Sequence, residues 1–256
     1  MPIKINYNGN ETVSQSDSKQ VVINCKGKTM EDDILVTDTR YDDFWDFYQD
    51  NGTRTYYPYM FAGQGWSNTT FKPKYDIKPS GSISGTFRQT GYLNLRQRLL
   101  DCGVTLDTSK ATDFQYAFAY GRLTELPTIN ATSATTLNAT FTNTAGSSRL
   151  TKIEELVVHE NLTYTNPFNN CDRLTYIRIS GTIGNSLNMQ HCPLDKDSIV
   201  SIMNALSETT SGKTLTLSEA AVAKAFETAG GFNDGEESEE WDSLVTIHGN
   251  WDIVLV

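Results

Sequence analysis

Three groups of residues have the composition for chemistry, and each implies a different kind. Asp42, Asp43 and Asp46 lie close enough in sequence to suggest the two carboxylates of a glycosidase. Such a pair works only when the groups face each other across a substrate at about 5–9.5 Å, which proximity along the chain does not establish. The run Asp234-Gly235-Glu236-Glu237-Ser238-Glu239-Glu240 is rich in the hard oxygens that calcium prefers. It lacks the alternate-position Asp/Asn pattern of an EF-hand loop, and a solvated loop leading into a short helix accounts for it. His159, His191 and His248 are isolated, with no H-x-x-x-H or H-x-H pair, so no metal site is expected. No nucleophile elbow, phosphate loop or Ser/His/Asp order stands out. The sequence predicts no catalytic residues and no cofactor.

Recognition is the chemistry that remains. Ten of the 27 aromatic residues fall between positions 41 and 66. Rings on an exposed face would stack on sugars or anchor a protein partner. Packed together, the same rings would form the core of a small module poor in aliphatics, and both readings stay open. Tyr56, Tyr57 and Tyr59 flank Pro58 in a loop-like stretch and are the ligand-binding candidates, with Trp66 as support beneath them.

Composition narrows the partners. The chain carries 21 basic and 31 acidic side chains, a net charge of −10, which repels phosphate and argues against nucleic-acid binding. No apolar run approaches the roughly 18–20 residues of a membrane span. Met1-Pro2-Ile3-Lys4-Ile5-Asn6 lacks the apolar core of a secretory signal, so ordinary export is not expected. Four cysteines in 256 residues do not make a disulfide scaffold. Asn10, Asn51, Asn68, Asn130, Asn138 and Asn161 sit in N-x-(S/T) sequons, which arise easily in a chain rich in Asn and Thr. Between positions 128 and 151, Thr, Ser and Asn fill 14 of 24 places.

Positioning such side chains requires a scaffold, and the chain announces one by repeating itself. Phe118 and Phe141 are 23 residues apart, with Ala111 matching Ala134 and Thr112 matching Thr135. After each Phe comes a Leu-Thr-x-(Leu/Ile) box: Leu123-Thr124-Glu125-Leu126, Leu150-Thr151-Lys152-Ile153 and, after Phe168 and Cys171, Leu174-Thr175-Tyr176-Ile177. A degenerate fourth unit carries Cys192-Pro193-Leu194. A disulfide between the equivalent Cys171 and Cys192 is one reading, and a pair of buried thiols is the other. Units of 20–29 residues with alternating Leu/Ile carry the leucine-rich-repeat signature, in which neighbours share one continuous core. Ile177 and Ile179 should then face inward, with Tyr176 and Arg178 outward. Phe118, Leu123, Phe141, Leu150, Phe168, Cys171, Leu174 and Ile177 are the expected repeat core.

Outside the repeats, Gln20–Cys25 and Asp33–Thr37 read as short strands, and Leu93 to Leu100 as a short helix. Ile199, Ile202, Met203 and Leu206 have helical spacing, with Asp195 or Asp197 available as N-cap. A strand at Thr214–Leu217 leads to Ser218 as cap of another helix, and Trp251–Val256 closes the chain as a strand.

Phe168-x-x-Cys171-x-x-Leu174-Thr175-x-Ile177-x-Ile179 resembles the BspA-like branch of leucine-rich repeats. The wider arrangement resembles chains of this kind from phages and prophages of gut Gram-positive bacteria. The likeness takes in Phe44-Trp45, Phe61-Ala62-Gly63-x-Gly65-Trp66, Phe71-Lys72-Pro73-Lys74-Tyr75, Leu106-Asp107-Thr108-Ser109, Leu217-Ser218-x-Ala220-Ala221-Val222 and Asn250-Trp251. Thr144-Ala145-Gly146-Ser147-Ser148 departs from the Phe-x-x-Cys pattern, so a bulging loop is expected there. The resemblance implies an α+β protein: a small β attachment module over 1–40 and an aromatic-rich N-terminal cap over 41–104. A short leucine-rich-repeat solenoid over 105–193 and an α/β C-terminal capping unit over 194–256 complete it. It implies a non-enzymatic virion component, a phage tail or decoration protein, held to other virion proteins by its N-terminal module. Its recognition surface would meet a host surface protein or glycan, without membrane insertion or nucleic acid. A bacterial cell-surface adhesin is the alternative, and a cell-surface glycan hydrolase the third reading.

Overall fold

A computed structural model describes residues 13–15, 21–25, 28–29, 61–63, 66–73, 76–226 and 238–256. Near the N-terminus, β1 (Val13–Gln15), β2 (Val21–Cys25) and β3 (Lys28–Thr29) form a small antiparallel sheet in that order. The expected strand at Asp33–Thr37 lies outside the described residues. β4 (Ser80–Ser82), β5 (Tyr92–Leu93) and α1 (Leu95–Cys102) follow. Asn94 caps α1 by accepting from the Gln97 N–H, and Gly103 ends it at φ 67°, the left-handed conformation glycine adopts without strain.

The middle of the chain alternates strand and tight turn. It comprises β6 (Lys110–Asp113), β7 (Arg122–Leu123), β8 (Glu125–Asn130), β9 (Thr136–Asn138), β10 (Lys152–Val158), β11 (Thr163–Thr165), β12 (Tyr176–Gly181) and β13 (Leu187–Met189). The C-terminal part holds α2 (Lys196–Asn204), β14 (Lys213–Leu217), α3 (Glu219–Ala225), α4 (Glu239–Ile247) and β15 (Trp251–Leu255). Asp195 caps α2 by accepting from the Ser198 N–H, as its place before the apolar period suggests.

The short leucine-rich-repeat solenoid expected for this α+β chain is not what the described residues form. They make mostly small parallel sheets with few helices, and no sheet has more than three strands. The Leu-Thr-x-(Leu/Ile) boxes do pair in parallel, with Leu126 and Ile177 both opposite Ile153. Among the described residues that sheet runs β12-β10-β8 and goes no further. Two physical features limit it. In β8 and β10 the buried residues are three apart (Leu126 and Ile129, Ile153 and Leu156), whereas in β12 they are two apart (Ile177 and Ile179). The ladder therefore slips between Ile153 and Leu156, a β-bulge. Beyond β12 a helix replaces the next strand: Ile177 N–H donates to Ser198 Oγ at 2.9 Å and Ile179 N–H to Ser201 Oγ at 2.8 Å. Both serines belong to α2, whose hydroxyls satisfy the sheet edge and leave no template for another strand. Meanwhile the Thr-rich segments pair in separate sheets, β9 with β11 and β13-β14-β15.

What runs through these sheets is a column of rings. Phe87, Phe118, Phe141 and Phe168 stack with centroids 5.6, 5.7 and 5.1 Å apart and planes within 10° of parallel. Each ring sits in a tight turn, and the turns are bonded to one another: Phe87 N–H to Ala117 O, Phe118 N–H to Thr140 O, Phe141 N–H to Pro167 O. Leu123, Leu150, Cys171, Leu174 and Ile177 are buried beside them. Thr144–Ser147 are exposed, Ser148 is fully buried, and the Gly146 N–H reaches Asp172 Oδ2 at 2.9 Å, so that loop is tied to the next turn.

Layers stacked this tightly leave no room at certain glycines. A Cβ on Gly181, which sits at φ +91°, would overlap the Val158 carbonyl oxygen, and one on Gly184 would overlap Glu160 O. Gly146 has φ +71° but open space around it. Gly146→Ala should therefore cost about 1–2 kcal/mol for the left-handed backbone alone. Gly181→Ala should cost clearly more, and Phe141→Ala about 3–5 kcal/mol for the cavity between two rings. Urea unfolding of the three variants checks this. Equal costs at Gly181 and Gly146 would contradict the close approach of the layers.

Candidate recognition surfaces

Of the residues with chemical promise in the sequence, Tyr56, Tyr57, Tyr59, Asp42, Asp43, Asp46 and Asp234–Glu237 lie outside the described residues. Trp66 is described and is only 2% exposed. Its ring meets Phe61 and Phe71 edge-on at 6.4 and 5.7 Å, and Phe61 in turn lies 5.1 Å from Phe87. Trp66 is thus packed among the rings on the N-terminal side of the column, buried and not offered to a ligand as an exposed ring. Glu239 and Glu240 open α4, and Glu240 pairs with Lys196 at 2.5 Å. Negative charge at a helix N-terminus is stabilising, which accounts for them structurally.

Among the described residues no group of three or more His, Cys, Asp or Glu is placed to hold a metal ion. His159 Nε2 sits 2.7 Å from Ala134 O, His191 is exposed, and His248 is buried. Cys171 and Cys192 are buried free thiols. Burial raises the Cys192 pKa, and the neighbouring Cys171 raises it further, while Cys171 Sγ donates to Phe141 O at 3.3 Å. A protonated, buried thiol packed in this way is inert.

The outward face of the β8-β10-β12 sheet carries a connected set of charges. Strand alternation puts Glu125, Lys152, Glu154, Tyr176 and Arg178 away from the buried Leu126, Ile153 and Ile177. Arg96, from the first turn of α1, reaches over the sheet to Glu125 at 3.9 Å and Glu154 at 2.6 Å. Lys152 lies 3.1 Å from the same Glu154 oxygen and 4.5 Å above the Tyr176 ring. Arg178 pairs with Glu155 at 3.3 Å. Three cations and three carboxylates make this face neutral within a chain of net charge −10. The nitrogens approach Glu154 Oε2 as charges and not along hydrogen-bond directions, so these contacts are ion pairs. Individually such half-exposed pairs contribute little, but connected they hold long side chains in one arrangement.

A second surface lies on the Phe turns. Two residues before and after three of the rings, the backbone enters the left-handed region: Gly85 and Gln89 around Phe87, Tyr116 and Tyr120 around Phe118, Asn166 and Asn170 around Phe168; at Phe141 it does so only before the ring, at Ala139. Glycine and asparagine adopt that conformation readily, whereas a bulky residue there is an outlier costing about 1–2 kcal/mol. Only the Phe118 turn has rings at both places, with φ 54° and 57°. The two tyrosine rings are 5.9 Å apart and tilted by 35°, and the Arg88 guanidinium lies 5.3 Å from each. Tyr120 is 36% exposed. The signal was present in the sequence as Tyr116-x-Phe118-x-Tyr120, but nothing in the spacing marks those positions as left-handed.

The charge set on the sheet face has a titration signature. Partial burial works to raise the Glu154 pKa, but close contact with Lys152 and the charges of Lys152 and Arg96 outweigh it, so it lies below the ordinary 4.5. A carboxyl with a lowered folded-state pKa stabilises fully above its unfolded value and loses that contribution as pH falls through the folded one. Thermal melts should therefore show the wild type losing more stability than Glu154→Gln between about pH 5 and 3, with the gap shrinking at high salt. Parallel pH profiles for the two proteins would show that Glu154 is not paired in solution. Compared with known proteins, the chain matches no family model, no curated protein and no solved structure.

Proposed function

We propose that the protein is a non-enzymatic component of a virus particle, of the phage tail or decoration kind, that contacts the host cell surface. The observation that carries this reading is the neutral, ion-paired face of the β8-β10-β12 sheet. Bacterial envelopes are predominantly anionic, and a chain of net charge −10 is repelled by them over most of its surface. The sheet face is where approach costs least, because Arg96, Lys152 and Arg178 offset Glu125, Glu154 and Glu155. Its side chains are already held by one another, so little rotamer freedom remains to be lost on binding. Residues 1–40, which include the small β1-β2-β3 sheet, are the proposed attachment to other virion proteins. The sequence likeness to phage and prophage chains supports the particle, and the polar sheet face supports the contact.

A bacterial surface adhesin would use the same face, so location separates the two. Antibody against the protein should label purified phage particles, and a chain lacking residues 1–40 should be missing from them. Labelled full-length protein should bind Gram-positive gut bacteria, and a Lys152→Ala/Arg178→Ala variant should bind about tenfold or more weakly with its fold intact, given a loss of about 1.4 kcal/mol or more. Label on the bacterial surface and none on particles would overturn the virion assignment. Undiminished binding by the double variant would overturn the sheet face as the contact.

A further inference from the structure

We propose that Arg88, Tyr116 and Tyr120 form a binding site for a sugar carboxylate, that is, a pyranose ring bearing an acid group. This goes beyond the sheet-face reading, since the Phe turns belong to a different segment of each unit and the site would stand without it.

Three observations carry the proposal. First, Arg88 is a cation without an anion. Among the described residues no carboxylate lies within ion-pair distance of it and no acceptor bonds its side chain, and its Nε is buried without a hydrogen-bond partner. Arg96, Arg98 and Arg178 each have a carboxylate within 3.9 Å. Because Nε is itself buried, a planar, bidentate acceptor such as a carboxylate would meet this arginine end-on, at its two Nη groups. Second, the guanidinium is fixed in place by the rings, 5.3 Å from the centroids of both Tyr116 and Tyr120. Aromatic rings at a surface also offer the apolar platform on which the C–H faces of a sugar stack. Third, the fold does not need those rings. The equivalent places in the Phe168 turn are filled by Asn166 and Asn170, at φ 49° and 57°, and asparagine tolerates that backbone far better than tyrosine. A bulky residue kept at both left-handed positions of one turn is the kind of strain that points to function.

The ligand class follows from combining these parts. A free phosphate would use the arginine and ignore the rings, and a neutral sugar would use the rings and leave the arginine unsatisfied. A sugar acid uses both. Arg122, two residues beyond Tyr120, is exposed, and no carboxylate among the described residues lies within ion-pair distance of it. It faces the 59%-exposed Tyr92 across the β5-β7 ladder, which extends the same pairing of cation and ring toward a second sugar unit.

Uronic acids and sialic acids share this chemistry, and titration calorimetry of the full chain separates them. The ligands are a glucuronic-acid oligosaccharide, sialyllactose, neutral lactose and inorganic phosphate. At least one acidic sugar should bind about tenfold or more tightly than lactose and than phosphate. Arg88→Gln should lose about tenfold or more of that affinity, the loss expected for one charge-assisted contact. Tyr116→Asn/Tyr120→Asn should lose it too while melting at the same or a higher temperature, since it removes strain. Lys152→Ala/Arg178→Ala should bind the sugar normally. No acidic sugar bound, equal binding of lactose or phosphate, or full affinity in Arg88→Gln would each overturn the site. Cell binding by the sheet face could survive that result, so the two readings fail separately.

Discussion

Four phenylalanine rings stacked face to face set the distance between successive layers of this molecule, and nearly everything else is arranged around that distance. The ring spacings of 5.1–5.7 Å lie slightly above the roughly 4.8 Å between paired strands. A ring column and a hydrogen-bonded ladder can therefore run side by side with modest tilting. The backbone follows from the rings. To place a Phe inward from a tight turn, the chain reverses on both sides of it, which is why left-handed residues recur two positions away. The turn-to-turn bonds then carry the register into the box strands. There Thr151 Oγ1 donates to Thr124 O at 3.0 Å and Thr175 Oγ1 to Thr151 O at 3.2 Å. Gly181 and Gly184 exist because layers at this spacing leave no volume for a side chain.

Any stacked column has two ends that must not invite further stacking. On the N-terminal side of Phe87, Phe61 lies over it tilted by 33°, Phe71 meets both rings edge-on, and Trp66 meets Phe61 and Phe71 edge-on, so the parallel stacking does not continue among the described residues. Toward the other end, α2 lays its serines along β12, ending the sheet with side-chain oxygens in place of a strand. These closures turn repetition into a finite body. They also explain how outward residues become available for recognition: the rings and ladders hold the body, so the sheet face and the Phe turns are free to vary in chemistry. The neutral charge set on the sheet and the Arg88–Tyr116–Tyr120 cluster are the two surfaces proposed to use that freedom.

Local and periodic features were legible in the sequence. Phe118, Phe141 and Phe168 could be placed because one kind of residue recurred ahead of one kind of box. Ile177 and Ile179 inward with Arg178 outward followed from strand alternation alone. A helix cap at Asp195 or Asp197 followed from their place before an apolar period, and the structure puts Asp195 at the cap and Asp197 in the first turn. The fold class did not follow, because periodicity reports that units stack without saying how many sheets they form. Thr136–Asn138 and Thr163–Thr165 have only Leu137 and Tyr164 between polar residues, too little periodicity to mark a strand, yet they pair as strands. Phe87 was missed because it stands 31 residues before Phe118, outside the 23–27-residue spacing seen downstream. Arg96 meets Glu125 and Glu154 only through space, and such pairs leave no periodic mark. The sequence suggests Trp66 as support beneath the Tyr56–Tyr59 loop, which lies outside the described residues; its packing against Phe61 and Phe71 is a contact through space that its sequence neighbours Gly65 and Ser67 do not mark.

The claim that the ring column is what the fold rests on is tested most directly by native-state hydrogen exchange at single-residue resolution. The amides of Phe87, Phe118 and Phe141, which bond one turn to the next, should exchange only through global unfolding. Their opening free energies should match the unfolding free energy measured with denaturant and exceed those of β9 and β11. Free energies for these three amides well below the global value, with the strands of the β8-β10-β12 sheet protected more strongly, would show that the sheet holds the turns and contradict the account.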